Sequence, residues 1–246
     1  MFVDIHNHIL PGIDDGAPTL PYALDMARLA VADGTDIMVA TPHRAWSSRK
    51  NAPPEWVREN VEELQFALDY SKIPLTIIPS TELQIGPALA RDLKEGTVMT
   101  IGGGEWALIE LPFDRLPHDA LDHLKAVLDI GVKIVVAHPE RNADIQRHLA
   151  FVDACADLGT YFQINTGSIL GRFGSGARRA AEAILARADE LPLIIASDSH
   201  NLDQRPPNLI RQARDIAARI AGDEAADAMV NSRPRSLLPS PIPPPK

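Results

Sequence analysis

The chain has 246 residues and a formal net charge of −9 at pH 7. Its hydrophobic fraction of 45% and its charged fraction of 23% are ordinary for a globular protein and exclude a disordered chain. The acidic balance argues against non-specific binding of nucleic acid, which requires a basic surface. A single cysteine, Cys155, excludes an intramolecular disulfide and a cysteine-rich zinc site.

The hydropathy pattern predicts neither a membrane-spanning helix nor a secretory signal. No apolar run reaches the ~18 residues that a spanning helix needs. The first residues, MFVDIHNHILPG, lack a basic segment followed by a long apolar run. We therefore expect a cytoplasmic protein with no membrane insertion.

Short apolar runs alternate with longer amphipathic runs along the chain. The short runs predict seven buried parallel strands, which span residues 2–6, 36–41, 75–81, 106–111, 133–138, 160–165 and 192–197. The amphipathic runs predict helices at residues 19–33, 55–71, 87–94, 117–130, 144–158, 174–188 and 207–221. This alternation indicates an α/β fold with right-handed crossovers. Seven repeats without a break favour a closed or nearly closed barrel, and the alternative is an open doubly wound sheet.

The end of the chain differs in composition from the rest. Residues 234–246 contain six of the 21 prolines. We expect a single domain over residues 1–233 and a flexible, proline-rich tail over residues 234–246. A docking segment for an SH3-like partner is the alternative interpretation of this tail.

Residues with metal-ligand chemistry concentrate at the carboxyl ends of the predicted strands. Five of the eight histidines lie there, together with four carboxylates. In a parallel barrel these strand ends open onto one face, where active sites of such folds are built. The nine side chains belong to six strands and are His6, His8, Asp14, His43, Glu82, Glu110, His138, Asp198 and His200.

The spacing of these residues favours a metal centre. His6 and His8 are two residues apart, so in an extended segment both imidazoles point the same way. A lone histidine at a strand end is more often a hydrogen-bonding residue than a ligand. Nine converging donors, however, exceed the need of one ion, so we predict two or three. The mixture of histidines and carboxylates suits Mn²⁺, Fe²⁺ or Zn²⁺ better than Ca²⁺ or Mg²⁺.

Two arginines follow proposed ligands on loops at the same face. Arg141 ends the segment HPER, and Arg205 follows the segment that contains Asp198 and His200. Guanidinium groups bind phosphate with two parallel hydrogen bonds, although surface salt bridging is the usual role of an arginine. Their placement predicts an anionic substrate with phosphate as the leading candidate. The loop 44–56 is either a substrate lid or a solvated insertion.

The order of the motifs resembles the PHP (polymerase and histidinol phosphatase) superfamily. The motifs are DIHNHILPGIDDGAPTL, ATPH, IEL, AHPERN, GSILGRFG and ASDSHN followed by RPP. The strings HILPGIDDG, HPERN and GSILGRFG are more closely similar to the bacterial manganese-dependent protein-tyrosine phosphatases of capsule and exopolysaccharide loci. The resemblance covers residues 1 to about 215.

The resemblance implies a distorted, TIM-like (β/α)7 barrel of the PHP type with three divalent metal ions. Mn²⁺ is the expected metal, with Fe or Zn as alternatives. One ion would be held by His6, His8, Glu82 and Asp198. The second would be held by Glu82, Glu110 and His138, and the third by Asp14, His43 and His200. Arg141 and Arg205 match the arginines that bind the phosphoryl group.

The implied activity is hydrolysis of a phosphomonoester by attack of a metal-bridging hydroxide. The expected substrate is phosphotyrosine on a bacterial tyrosine kinase that regulates capsular or exopolysaccharide synthesis. One alternative is the same chemistry on a small molecule such as histidinol phosphate. The other is a non-catalytic, metal-binding scaffold protein. The oligomeric state is left open at this point.

Overall fold

A computed structural model describes residues 1–43 and 53–240 of the chain. The strands in these ranges are β1 (Phe2–Asn7), β2 (Thr35–Ala40), β3 (Thr76–Pro79), β4 (Glu82–Gln84), β5 (Trp106–Glu110), β6 (Lys133–Ala137), β7 (Tyr161–Asn165) and β8 (Leu193–Ala196). The helices are α1 (Leu20–Asp33), α2 (Pro54–Tyr70), α3 (Leu89–Lys94), α4 (Ala120–Asp129), α5 (Ala150–Asp157), α6 (Thr166–Ile169), α7 (Gly174–Leu185), α8 (Ile210–Ala221), α9 (Asp223–Val230) and α10 (Ser232–Arg235).

All strand pairs are parallel and form two sheets that join into a distorted barrel. One sheet has the order β1-β2-β3 and the other the order β4-β5-β6-β7-β8. The bridge between Asn7 and Ser199 joins the β1 edge of the first sheet to the β8 edge of the second, and the bridge between His43, which follows β2, and Glu82 joins the first sheet to β4. The predicted barrel is therefore confirmed, and the open doubly wound sheet is wrong.

The third predicted strand, 75–81, is divided in two in the structure. β3 ends at Pro79, and β4 begins at Glu82 in the other sheet. The chain keeps following β2 across the break, because Ser80 N donates to Ala40 O at 2.9 Å and Glu82 N donates to Pro42 O at 3.2 Å. The barrel thus has the seven strand positions expected from the sequence, with one of them interrupted at Ser80–Thr81.

Side chains alternate between the barrel interior and the surrounding helices, as in other closed sheets. The interior apolar cluster includes Val39 of β2, Leu108 of β5 and Ala196 of β8. Neighbouring residues such as Met38 and Ile109 pack outward in other clusters. Two positions beyond Leu108 and Ala196, the same alternation gives Glu110 and Asp198. The apolar interior therefore gives way to a polar end where the strands terminate.

Helix α1 shows how local sequence signals set the element boundaries. Pro21 lies in its first turn, where a missing N–H costs nothing. Gly34 ends the helix with φ 109°, and its N–H donates to Ala30 O and Val31 O. The buried face consists of Ala23, Met26, Ala27 and Ala30. The helix predicted at 19–33 is confirmed. None of the helices within residues 1–43 and 53–240 has the length and apolar character needed to cross a membrane.

The structure differs from expectation in the first half of the proline-rich tail. Leu237 and Leu238 are 1% and 9% exposed and belong to the cluster inside the barrel. Arg233 Nη1 donates to Leu193 O at 2.6 Å, and Arg235 Nη2 pairs with Asp36 Oδ2 at 3.0 Å. Residues 234–240 therefore close the amino-terminal end of the barrel, where Leu237 and Leu238 complete its apolar interior. The rest of the predicted tail, 241–246, lies outside the described residues.

Leu237→Ala is expected to lower the free energy of unfolding by about 2–5 kcal/mol, because it leaves a cavity inside the barrel. Urea denaturation measures this change. The matched control is Leu20→Ala, since Leu20 is 40% exposed and should change stability by no more than about 0.5 kcal/mol. Equal stability of the two variants would mean that the segment is a detached tail.

Candidate metal centre

A cavity of about 930 Å³ lies at the carboxyl end of the strands. Its polar lining residues are Asp15, His43, Glu82, Gln84, Glu110, Asp114, His138, Arg141, Asp198 and Arg205. Its apolar lining residues are Leu83, Leu89, Leu111, Pro112 and Phe113. The carboxyl end is the face on which the sequence placed the candidate ligands, as expected for a parallel barrel.

A register shift in β1 brings His6 and His8 to the ligand cluster beside the cavity. Val3 pairs with Ile37 and lies in the barrel interior, but the pairing with β2 shifts again between Asp4 and Asn7. Strict alternation would place Val3 and His6 on opposite faces of the strand. The extra residue turns His6 and His8 inward, which is how bulges re-aim side chains next to functional sites.

Glu82 is the meeting point of four histidines. Its Oε2 lies 3.2 Å from His6 Nε2, 3.4 Å from His8 Nε2 and 3.2 Å from His43 Nδ1. Its Oε1 lies 3.1 Å from His138 Nε2. Glu82 lies at the start of β4 because the third strand is broken before it. The distortion of the barrel therefore places Glu82 among these histidines.

The other ligand-type residues lie around this centre. Asp198 Oδ1 is 3.5 Å from the Nε2 atoms of both His6 and His8. Glu110 Oε1 is 3.8 Å from His138 Nε2. The described residues contain four groups whose ligand atoms all lie within 4.8 Å of one another. These are His8, Asp15, His43 and His200; His6, His138 and Asp198; His6, His8 and Glu82; and His43, Glu82 and Glu110.

The structure differs from the sequence interpretation at Asp14, which belongs to none of these groups. Asp14 Oδ2 accepts hydrogen bonds from His8 Nδ1 at 2.7 Å and from His43 N at 3.0 Å, and its Oδ1 accepts from Gly16 N at 3.0 Å. Burial opposes ionisation of Asp14, but the charge of His8 and these hydrogen bonds lower its pKa to about 2. Both oxygens are therefore committed to holding the loop and His8.

Asp15 occupies the place that the sequence analysis assigned to Asp14. Its Oδ1 lies 3.4 Å from His200 Nε2 and 3.6 Å from His43 Nε2. The two residues are adjacent in sequence and chemically identical, and the turn after β1 decides which of them faces the cavity. Sequence spacing alone carries no information about that turn.

Three histidines are arranged as metal ligands usually are. The Nδ1 atoms of His6, His8 and His200 donate to Gln163 Oε1 at 3.0 Å, to Asp14 Oδ2 at 2.7 Å and to Asp198 O at 3.0 Å. Their Nε2 atoms are buried and have no hydrogen-bond partner among residues 1–43 and 53–240. In a neutral imidazole whose proton is on Nδ1, the Nε2 lone pair is available to a cation in the cluster. The donor set therefore fits divalent cations.

The carboxylates of the cluster differ in their proton affinity. Burial would raise the pKa of Glu82, but the charge of His6 and the hydrogen bond with His138 hold it well below its usual value. Burial and the neighbouring charge of Glu82 raise the pKa of Glu110 to about 8. Anionic side chains packed this closely repel one another, and bound cations would relieve that repulsion.

Arg141 and Arg205 both reach the cavity and contact Asp198. Arg141 Nη1 donates to Asp198 Oδ2 at 3.1 Å, and Arg205 Nη2 pairs with the same oxygen. Their side chains are 18% and 22% exposed, so each guanidinium also meets solvent in the cavity. The two arginines thus place positive charge beside the carboxylate cluster, as expected for a phosphate site.

Sequence reasoning missed two amide side chains that orient the site. Gln163 Oε1 accepts from His6 Nδ1 at 3.0 Å and from His138 N at 3.2 Å. Asn165 Nδ2 donates to Asp198 Oδ2 at 2.6 Å. The strand that contains them, β7, supplies none of the predicted ligands. The sequence did contain a signal for them, because Gln163 and Asn165 are polar residues two positions apart at the end of an apolar strand.

The chain belongs to a family of capsule-synthesis proteins. The family model described as "Capsular polysaccharide synthesis, CpsB/CapC" matches residues 2–239. This match spans nearly the whole chain and confirms the family resemblance stated from the motifs.

Named relatives cover most of the chain. The tyrosine-protein phosphatase YwqE of Bacillus subtilis (strain 168) is 36% identical over 205 residues, which are 82% of this chain and 79% of that protein. The tyrosine-protein phosphatase CpsB of Streptococcus agalactiae serotype III is 30% identical over 245 residues, which are 96% and 98% of the two chains.

Solved structures agree with this family. A chain from a study of YwqE from Bacillus subtilis and CpsB from Streptococcus pneumoniae, described as unique metal-dependent tyrosine phosphatases, superposes with a TM-score of 0.88 at 31% identity, covering 96% of this chain and 94% of that one. An organophosphorus hydrolase from Deinococcus radiodurans matches with a TM-score of 0.58 at 17% identity, covering 97% and 92%. This second match shows the barrel fold alone.

The loop that supports His8 has no space for a larger residue at Gly16. A Cβ at Gly16 would lie 2.0 Å from His8 O and 2.5 Å from His8 Cβ. Gly16→Ala is therefore expected to displace His8 and to weaken Mn²⁺ binding by about 10–100-fold, the range found when support of a ligand is lost. Isothermal titration calorimetry of the metal-stripped protein measures the change.

Gly86→Ala is the matched control for this substitution. A Cβ at Gly86 meets nothing within 4 Å among the described residues, and its φ is not positive. Both variants should retain the circular dichroism spectrum of the wild type. Unchanged metal affinity in Gly16→Ala would show that the position of His8 does not depend on this close approach.

Proposed function

We propose that this protein is a metal-dependent phosphatase that hydrolyses phosphotyrosine on a bacterial tyrosine kinase controlling capsular or exopolysaccharide synthesis. The observation that carries the proposal is the group of three buried histidine Nε2 atoms without hydrogen bonds, which face Glu82, Asp15 and Asp198 beside two arginines. The names of the relatives and the family description support both the reaction and the biological setting.

Three divalent ions, with Mn²⁺ as the expected metal, are assigned to the residues of the cluster. His6, His8, Glu82 and Asp198 would hold the first, and Glu82, Glu110 and His138 the second. His43, His200 and Asp15 would hold the third, with Asp15 in place of Asp14. Bound divalent ions supply Lewis-acid chemistry, because they lower the pKa of water and neutralise charge on phosphoryl oxygens.

The protein's own contribution is the binding and orientation of the phosphoryl group. The guanidinium groups of Arg141 and Arg205 would bind its oxygens, and their positive charge would stabilise the charge that develops during hydrolysis. Asp198 Oδ2 contacts both arginines at the edge of the cavity and is itself held by a hydrogen bond from Asn165 Nδ2.

No separate general acid is assigned to the departing group. A tyrosine side chain has a pKa near ~10, well below that of an alkyl alcohol, so it leaves with little proton assistance. This property favours an aryl phosphate over an alkyl phosphate at a site without a dedicated acid.

The first experiment is phosphate release from a phosphotyrosyl peptide by metal-stripped protein with and without Mn²⁺. We expect release from the phosphotyrosyl peptide only when Mn²⁺ is present. A phosphoserine peptide and histidinol phosphate are assayed in parallel. Preferential release from histidinol phosphate would assign the protein to small-molecule metabolism, and no release with metal bound would favour a scaffold protein.

Arg141→Ala is expected to lower kcat/KM on the phosphotyrosyl peptide by about 10²–10³-fold, the usual effect of losing one donor to a developing oxyanion. Steady-state kinetics with saturating Mn²⁺ measure it. The matched control is Arg147→Ala, because Arg147 is 68% exposed and pairs with Asp144 away from the cavity lining. Equal kinetics of the two variants would remove Arg141 from the phosphate site.

The assignment of Asp15 rather than Asp14 is tested by metal content. With saturating Mn²⁺, Asp15→Ala should lose about one bound ion per chain, because a ligand of the third group is missing. Asp14→Ala should keep the wild-type stoichiometry and bind about 10–100-fold more weakly, because it removes the support of His8 and of the loop but no ligand. Elemental analysis after gel filtration gives the stoichiometry, and the reverse pattern would restore Asp14 as the ligand.

A further inference from the structure

Phe113 is the exposed aromatic residue of the cavity wall. The leucines that line the cavity, Leu83, Leu89 and Leu111, are at most 3% exposed, whereas Phe113 is 46% exposed. Leaving this much of an aromatic ring in solvent forgoes part of the free energy of burying it. The exposed part of the ring is accessible to a molecule that enters the cavity.

The backbone around Phe113 is held in place despite this exposure. Phe113 O accepts from Ala143 N at 2.8 Å, and Pro112 O accepts from Asn142 Nδ2 at 2.6 Å. Both donors follow Arg141 directly in the chain. The loop that carries Phe113 and the loop that carries Arg141 therefore form one unit, and the ring is pre-organised.

Arg141 packs against two phenylalanine rings. Its Cζ is 4.3 Å from the ring centroid of Phe113 and 4.4 Å from that of Phe173. Contacts of this kind orient a guanidinium through the ring quadrupole. The two rings differ in one respect, because Phe113 lines the cavity whereas Phe173 lines only a smaller groove beside it.

The ring of Phe113 is also close to the metal-ligand cluster. Its centroid lies 5.7 Å from that of His138, at an interplanar angle of 34°. In an aryl phosphate a single bridging oxygen separates phosphorus from the ring. A phosphoryl group bound by Arg141 at the cluster therefore brings an attached ring within reach of Phe113.

We propose that Phe113 forms an aryl subsite, which selects phosphomonoesters with an aromatic leaving group by ring contact. This inference rests on the proposed phosphatase function and extends it to the residue that recognises the leaving group. Phe173 has a different role, because it packs against Arg141 without lining the main cavity and so would not touch the leaving group. An alkyl phosphate such as phosphoserine offers no ring and gains nothing from Phe113.

The kinetic test compares Phe113→Leu and Phe173→Leu on phosphotyrosyl and phosphoserine peptides of the same sequence. Phe113→Leu should reduce the ratio of aryl to alkyl kcat/KM by about 3–10-fold, the range for one aromatic pair, mainly through KM. Phe173→Leu should lower both activities by the same factor and keep the ratio. Phe66→Leu is the matched control, because Phe66 is 74% exposed on α2 and should change neither activity.

A binding measurement separates this inference from the phosphatase proposal. Phenylphosphonate and methylphosphonate carry the same anionic group and are not hydrolysed. Calorimetry on the Mn²⁺-loaded protein should show about 3–10-fold tighter binding of phenylphosphonate, and Phe113→Leu should abolish the difference. Equal affinity of the two ligands for the wild type, or an unchanged preference in Phe113→Leu, would overturn the aryl subsite even if the protein releases phosphate. A phenyl preference without any phosphate release would leave the subsite standing and reject the phosphatase.

Discussion

The site depends on one buried carboxylate. Glu82 brings His6, His8, His43 and His138 within 3.4 Å of its two oxygens, although these histidines belong to three different parts of the chain. A buried carboxylate without such partners would be protonated. The histidines therefore keep Glu82 ionised, and Glu82 draws the ends of several strands to one point.

The barrel is distorted where this interaction requires it. A regular third strand would continue in the sheet of β3, but the chain changes sheets after Pro79 and begins β4 at Glu82. The register shift in β1 likewise turns His6 and His8 toward Glu82. The irregular β1 and the interrupted third strand supply His6, His8 and Glu82, whereas the regular strands β5 and β8 lead directly to Glu110 and Asp198. The site thus combines regular and irregular strand ends.

The residues around the candidate ligands fix the orientation of the ligand side chains. Asp14 and Gln163 fix the ring orientations of His8 and His6, while Asn165 and two arginines share Asp198 Oδ2. Phe113 and Phe173 both pack against one of those arginines, Arg141. The residues proposed to hold metal ions and those proposed to bind the substrate therefore belong to one connected network of contacts.

The sequence by itself determined the α/β barrel, the face that bears the site and the residue types gathered there. Strand–helix alternation and the position of polar residues after apolar runs are local patterns, and they follow from burial and side-chain period. Only the tertiary structure decided that Asp15 rather than Asp14 faces the cluster, that Gln163 and Asn165 support it, and that Leu237 plugs the barrel. Each of these features depends on a turn, a register shift or a contact between distant segments. Such interactions contribute free energy only once the whole barrel has closed.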